Sequence, residues 1–349
     1  MKNRILQVSG HEVLLNEVIQ NSNGKFIFDY VLNRSGSDFR FKKDQSDSKL
    51  FYITSYDENK FLWFKELLLI LYKEKYPVIH FHISWPCAFL LPFMTFSKSK
   101  FIVHSHTVSS KKSLSSFFFK FFAKAIISFF SKVNLACSDE AGRDVFKKFI
   151  IFHNPVNYKR FKFSQSKRDL FRKNLNLSDQ DKMCIHVGHY YHPKNQEFLI
   201  DLFKDTRLKE HKLFCFGDDL GNKKRLQKLI SKNKLEKNIL LFDSKQDIEN
   251  YLNAADIFLM PSIFEGLGMA AIEAQVNGVK CILSDKIPKS TKISNDVTFL
   301  ELNSKRRWVN AILKEEKVRS SSKNIDTKYD SKIASEVLLK IYKDMLCVV

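Results

Sequence analysis

A chain of 349 residues is too long for one ordinary core and suits two domains of roughly 150 to 200 residues each, with a cleft expected between them. Hydrophobic residues at 44% and charged residues at 28% exclude a disordered or collagen-like chain. The formal net charge of +20 favours partners rich in phosphate or anionic lipid, and because the lysines are scattered instead of gathered into a tail, nucleic acid ranks behind both.

The N-terminus, MKNRILQVSG, passes from Met1 straight into a strand-like run, Ile5 to Gly10. No long apolar stretch or cleavage site precedes it, so a signal peptide is not expected and the cytoplasm is the default compartment. Phe61 to Tyr72 is helix-like, and Pro77 to Ile83 and Phe101 to His104 read as central strands, an alternation that argues for a parallel sheet. His80 and His82 alternate along the first of these strands and are expected to be core or supporting residues.

From Lys111 to Lys132 the sequence KKSLSSFFFKFFAKAIISFFSK sets Ser116, Lys120, Lys124, Ser128 and Lys132 at four-residue spacing among Phe, Ile and Ala. That pattern predicts an amphipathic helix with a wide apolar face. Lys120 and Lys124 interrupt the run too strongly for it to span a bilayer, which leaves packing on the first domain's sheet, contact with a membrane surface, or both.

His153 to Phe163, with its Asn-Pro turn, is the best linker candidate. Beyond it, strands are predicted at Met183 to Val187, Lys212 to Phe216, Ile239 to Phe242, Ile257 to Met260 and Lys280 to Leu283, with helices between. The polar stretch Arg319 to Lys328 precedes an amphipathic helix from Ser331 to Met345 that needs an apolar surface. Domains are therefore placed at 1–160 and 161–325, with 326–349 a helix packing back toward the first.

The six cysteines are far apart, show no zinc-type spacing and read as buried free thiols. Asp179-Gln180-Asp181 has a D-x-D form but sits in a polar turn, where Asp is common for turn reasons alone, and no metal is predicted.

The most informative segment is Pro261 to Asp285, PSIFEGLGMAAIEAQVNGVKCILSD. Glu265 precedes a Gly-rich turn, and Glu273 lies in the helix that follows. A helix opening near Gly266 would present free N–H groups and a positive dipole end to a phosphate. The two glutamates could then accept hydrogen bonds from hydroxyl groups on either side of it. The alternative is a helix cap and a solvated helix residue.

This segment resembles the donor-binding signature of retaining family 4 glycosyltransferases, including those that build capsular and exopolysaccharides. His153-Asn154-Pro155-Val156 with Phe161, Ala136 to Gly142 (ACSDEAG), His186-Val187-Gly188 with Lys194 to Ile200 (KNQEFLI), and Phe216-Gly217-Asp218 are similar to further segments of that family, in family order from Pro77 onward. The resemblance implies an α/β GT-B fold, with two Rossmann-like doubly wound parallel-sheet domains facing a central cleft.

It also implies an α-linked nucleoside diphosphate sugar as donor, UDP being expected, with no other cofactor. As carried over, Lys194 contacts the diphosphate and Glu273 the ribose. Glu265 faces the donor sugar. Gly188, His189, Gly266, Leu267, Gly268 and Gly10 complete the donor site. His106 is the first-domain histidine near the reacting sugar, with His104 and Thr107 as acceptor-side candidates.

Three positions depart from the family pattern: His189 stands where an arginine is usual, Ser9-Gly10-His11-Glu12 replaces a Gly-Gly pair before an acidic residue, and Asp243 replaces a glycine. The expected function is retaining transfer of a sugar to a glycan acceptor, lipid-linked, in envelope polysaccharide synthesis, with peripheral contact of 111–132 at the inner face of the cell membrane. The alternative is a catalytically weak nucleotide-sugar-binding scaffold of an assembly complex, motivated by His189 and the short N-terminal loop.

Overall fold

Apolar runs of two to eight residues, each closed by a loop, form two separate parallel sheets. The computed structural model describes residues 3–8, 22, 24–34, 47–82, 86–94, 98–106, 114–178, 180–314 and 325–347, with the backbone alone at 86–87 and 114–119. Gly10 and Thr107, and with them residues 111–113, lie outside the described residues. Two compact units divide the chain: Met1–Val156 with Lys328–Val349, and Asn157–Thr327.

The first unit holds seven strands: β1 (Asn3–Val8), β2 (Phe26–Asn33), β3 (Leu50–Ile53), β4 (Val78–Phe81), β5 (Lys100–Ser105), β6 (Val133–Ala136) and β7 (Ile150–Ile151). They pair in the order β3-β2-β1-β4-β5-β6-β7, so the winding direction reverses between β1 and β4. Both faces of the sheet are covered, and strand alternation sorts the side chains between them. Ile5, Val78 and Ile102 enter one core, which the helix Ser331–Cys347 covers through Leu338, Tyr342 and Met345. Leu6, Ile79 and Val103 enter the other, with Trp63, Leu67 and Leu71 from the helix Lys60–Glu74.

The second unit holds β8 (Lys182–Val187), β9 (His211–Phe216), β10 (Ile239–Phe242), β11 (Ile257–Met260), β12 (Lys280–Ser284) and β13 (Val297–Leu300). Their order is β10-β9-β8-β11-β12-β13, and the reversal here falls between β8 and β11. In a doubly wound sheet the carboxyl ends of the strands at such a reversal splay their loops apart and leave a binding crevice. Arg168 and Arg172, on the helix Gln165–Asn174, fasten the opposite end: Arg172 donates to the Ala254 and Asp181 carbonyls, and Arg168 pairs with Asp256 at 2.5 Å.

Two sequence expectations need correction. Cys137, Cys184, Cys215 and Cys281 are buried free thiols, but Cys347 is exposed at the last turn of its helix. The helix expected to open near Gly266 begins three residues later, at Met269, because Gly268 adopts a left-handed conformation (φ 77°) that ends the preceding loop. Asp181 closes its own turn, accepting from the Ser178 amide at 2.7 Å and hydroxyl at 2.8 Å, and these bonds hold its carboxyl down at about 2. Asp179 lies outside the described residues.

His186, fully buried in β8, lies with Nδ1 2.9 Å from the Leu259 carbonyl, and burial pushes its imidazole down to about 4. An unfolded histidine binds a proton near pH 6.5, so the stability this group contributes is complete above that pH and is lost as pH falls toward 4. The cost reaches about 2 kcal/mol at pH 5. The thermal midpoint should therefore drop between pH 7 and pH 5, and the drop should shrink in His186→Gln; an unaltered drop in that variant would remove His186 from the explanation.

Candidate active site

β8 ends at Val187, and the next residue must let the chain turn away under a crowded neighbour. A Cβ on Gly217, just past β9, would lie 2.1 Å from the Gly188 carbonyl oxygen, so the two strand ends meet backbone to backbone. At Gly188 itself a Cβ would come within 3.2 Å of Lys194 Cδ. A side chain there would press on the Lys194 stem, which lies back across the strand end.

The loop after β8 is then tied to the loop after β11. Gln196 donates to the His189 carbonyl at 2.9 Å, Asn195 donates to the Pro261 carbonyl at 3.1 Å, and the Ile263 amide donates to the Pro193 carbonyl at 2.9 Å. These ties bring Lys194 Nζ to 2.6 Å from Glu265 Oε1, with the two side chains only 15% and 9% exposed. Ser262, buried just after β11, donates to the same carboxylate oxygen at 2.7 Å. Lys194 and Glu265, 71 residues apart, therefore share one place at the β8/β11 reversal of the second unit.

Around them, a Cβ on Gly266 would meet nothing within 4 Å, so packing does not demand glycine there. Gly268 caps the helix Met269–Val276 without a side-chain hydrogen bond, and Thr291 holds the buried Leu267 through its carbonyl. Glu273 lies half-buried on that helix. His189 is exposed and reaches Asp218 at 3.7 Å, so the residue standing in the family's arginine position has an acidic neighbour of its own. Ser262, Asn195, Gln196 and Thr291 were not singled out from sequence; Asn195 and Gln196 at least stood inside the quoted K-N-Q-E-F segment.

In the first unit, β4 and β5 lie side by side in a register that sets His80 opposite Ile102 and Phe81 opposite Val103. His80, His82, His104 and His106 consequently form one group of rings, with centroids 4.1 Å apart for His80 and His82 and 3.9 Å for His104 and His106. His80 and His82 are buried, as is His104, whose ring stands edge-on to Phe152 at 5.3 Å. His104, an acceptor-side candidate from the sequence, is 2% exposed. His106, just past the strand end, is half-buried.

Comparisons with known proteins agree with this architecture. The sequence model of the family "Glycosyl transferases group 1" matches residues 167–327. The UDP-Gal:alpha-D-GlcNAc-diphosphoundecaprenol alpha-1,3-galactosyltransferase of Escherichia coli is 28% identical over 266 residues, 71% of this chain and 68% of that one. The capsular polysaccharide biosynthesis glycosyltransferase CapH of Staphylococcus aureus is 27% identical over 317 residues, 86% of each chain.

Among solved structures, Anabaena HepE in complex with UDP superposes with a TM-score of 0.77 at 14% identity, covering 99% of this chain and 100% of that one. Sucrose-phosphate synthase from Thermosynechococcus elongatus superposes with a TM-score of 0.79 at 15% identity, with the same coverage. At such identities these two speak for the fold, two Rossmann-like domains of the GT-B type, while residues 167–327 match the group 1 glycosyltransferase domain and the sequence relatives are glycosyltransferases of polysaccharide biosynthesis.

Proposed function

We propose that the protein transfers a sugar from a UDP-sugar to a lipid-linked glycan, with retention of anomeric configuration. The observation that carries this is the Lys194–Glu265 pair at the β8/β11 reversal, beside a helix start that has no side-chain cap. A diphosphate placed there would meet a lysine and free amide donors, the groups that stabilise charge developing on a leaving phosphate. It would also compete with Glu265 for Lys194, releasing the carboxylate toward the sugar. The relatives suggest the substrate classes: the E. coli enzyme is a UDP-Gal:alpha-D-GlcNAc-diphosphoundecaprenol alpha-1,3-galactosyltransferase, and HepE binds UDP.

In the proposed step the bond from the anomeric carbon to the phosphate oxygen breaks and a bond to the acceptor hydroxyl forms on the same face. The acceptor proton passes to the departing phosphate oxygen. Lys194 balances the diphosphate charge, Glu265 binds sugar hydroxyls and steadies positive charge near the anomeric carbon, Glu273 holds the ribose, and His106 acts in transfer from the first unit. Gly188, His189, Gly266, Leu267 and Gly268 are assigned to the donor site.

Lys194→Ala should lower kcat by roughly 10²-fold or more, the scale for losing one donor to a developing negative charge. Glu265→Ala should abolish transfer, and retained turnover would refute the role given to it. Glu273→Ala should raise the donor KM and leave kcat nearly unchanged, the signature of lost uniform binding. A panel of UDP-, GDP- and ADP-sugars read by diphosphate release and by the anomer of the product tests the whole assignment. Tight nucleotide binding without turnover would favour the scaffold alternative.

Membrane contact belongs to the same proposal. Among the described residues no helix is long and apolar enough to cross a membrane. In the helix Leu114–Phe130, Ala123 and Ile127 enter the first unit's core, while Phe121, Phe122 and Phe129 are 61%, 60% and 82% exposed. Both lysines face protein: Lys120 pairs with Asp144 at 2.8 Å, and Lys124 donates to the Arg143 carbonyl at 2.6 Å.

The outward side is therefore aromatic, as an interfacial helix requires, and the chain's charge of +20 adds attraction to anionic lipid. Replacing Phe121, Phe122 and Phe129 together by Ser should weaken co-flotation with anionic vesicles by roughly 10-fold or more, each fully buried Phe being worth about 2 kcal/mol. Unchanged flotation would exclude this face as the contact.

A further inference from the structure

The side chains behind His106 form a continuous hydrogen-bonded series within the first unit. His106 Nε2 lies 3.0 Å from His82 Nδ1, His82 Nε2 lies 2.9 Å from Gln7 Oε1, Gln7 Nε2 donates to the Tyr342 hydroxyl at 3.0 Å, and that hydroxyl lies 2.8 Å from His80 Nδ1. Gln7 is on β1, the two buried histidines on or just past β4, and Tyr342 on the returning helix. On its other side His106 Nδ1 lies 3.2 Å from Asn154 Oδ1, the longest link of the set.

The donors and acceptors in this series have a direction. Gln7 gives its amide hydrogen to Tyr342, so the oxygen it turns to His82 can only accept, and His82 must carry its proton on Nε2. His82 Nδ1 is then a lone pair, and the nitrogen facing it, His106 Nε2, must be the donor. The Tyr342 hydroxyl hydrogen completes the run by pointing to His80 Nδ1. His80, His82 and His104 also each bring a ring nitrogen within 4.8 Å of the others, as a cation site would. Both nitrogens of His82 are already committed to Gln7 and His106, however, so the group is a relay of hydrogen bonds.

We propose that Gln7 and His82 are positioning residues that keep a proton on Nε2 of His106, so that Nδ1 is the nitrogen through which His106 gains and loses a proton or meets a hydroxyl: protonated, Nδ1 donates to Asn154 Oδ1, and neutral, it holds a lone pair that Asn154 Oδ1 cannot satisfy. The consequence for catalysis rests on the role given to His106 above, whereas the tautomer itself does not. Fixing the ring by its inner nitrogen leaves the weaker Asn154 link as the one that a substrate group displaces. Asn154 belongs to the His153-Asn154-Pro155-Val156 turn that ends the first unit's main segment, so the exchangeable partner sits on a connecting segment and the retained one on the sheet.

Long-range 15N–1H correlation spectra of the full-length protein read the tautomer without substrate, with the His106 signals assigned by their loss in His106→Asn. Wild type should show neutral His106 as the Nε2–H form. Gln7→Leu frees His82 to present Nδ1–H and should move His106 to the Nδ1–H form, with kcat lowered roughly 10-fold or more and donor KM within about twofold, a modest part of the 10²–10⁴ that acid–base groups contribute. Gln7→Glu keeps an acceptor against His82 Nε2 and should retain the wild-type tautomer, which separates the relay from a general loss of packing. An Nδ1–H wild type, or a Gln7→Leu protein with the wild-type tautomer, overturns the proposal. Absence of turnover in wild type would instead remove the transferase role and leave the tautomer result standing.

Discussion

A lysine and a glutamate that are nearly out of water, 2.6 Å apart, set the terms for everything the second unit does. Neither charge tolerates isolation at such low exposure, so each is held by the other until something of equal charge takes its place. The surroundings follow from that requirement. Gly188 is bare where the lysine stem passes, Asn195 and Gln196 pin the loop that carries it, and Ser262 supplies the carboxylate with a further donor. A dianionic ligand is the natural competitor for the lysine, because it brings more negative charge than the carboxylate it displaces.

The two units use one architectural device for different purposes. In each, a parallel sheet reverses its winding direction once, between β1 and β4 in the first and between β8 and β11 in the second. The second unit fills the reversal with an ion pair and a glycine-lined helix start, chemistry suited to phosphate. The first fills its own with imidazoles, an amide and a phenol joined by directional hydrogen bonds, chemistry suited to placing a proton. On the proposed function, the ion pair and helix start serve as a hold on the leaving group and the imidazole series as a controlled polar side chain.

The second unit was largely legible in the sequence because five of its six strands are short apolar runs that stop at Gly, Pro or Asp, and several of those stops are also where the residues proposed to face the ligand stand. Its helix start was misplaced by three residues because a left-handed φ at Gly268 leaves no mark on the residue pattern around Gly266. In the first unit, His104 and His106 share one strand face and cannot be told apart by spacing. Only the strand's end at Ser105 leaves one inside the core and the other at its rim. The part played by Tyr342 was invisible, since its bonds to Gln7 and His80 join residues 335 and 262 positions apart. The four-residue spacing of Lys120 and Lys124 predicts an amphipathic helix but not which side faces out: the two lysines turn to Asp144 and Arg143 and leave phenylalanines outermost.

A crystal structure of the protein soaked or grown with a UDP-sugar addresses the central claim most directly. Density for the diphosphate should lie within hydrogen-bonding distance of Lys194 Nζ and the first amides of the helix Met269–Val276, with the Glu265 carboxylate turned from the lysine to the sugar. A diphosphate bound away from the β8/β11 loops, with the Lys194–Glu265 pair still closed, would contradict it.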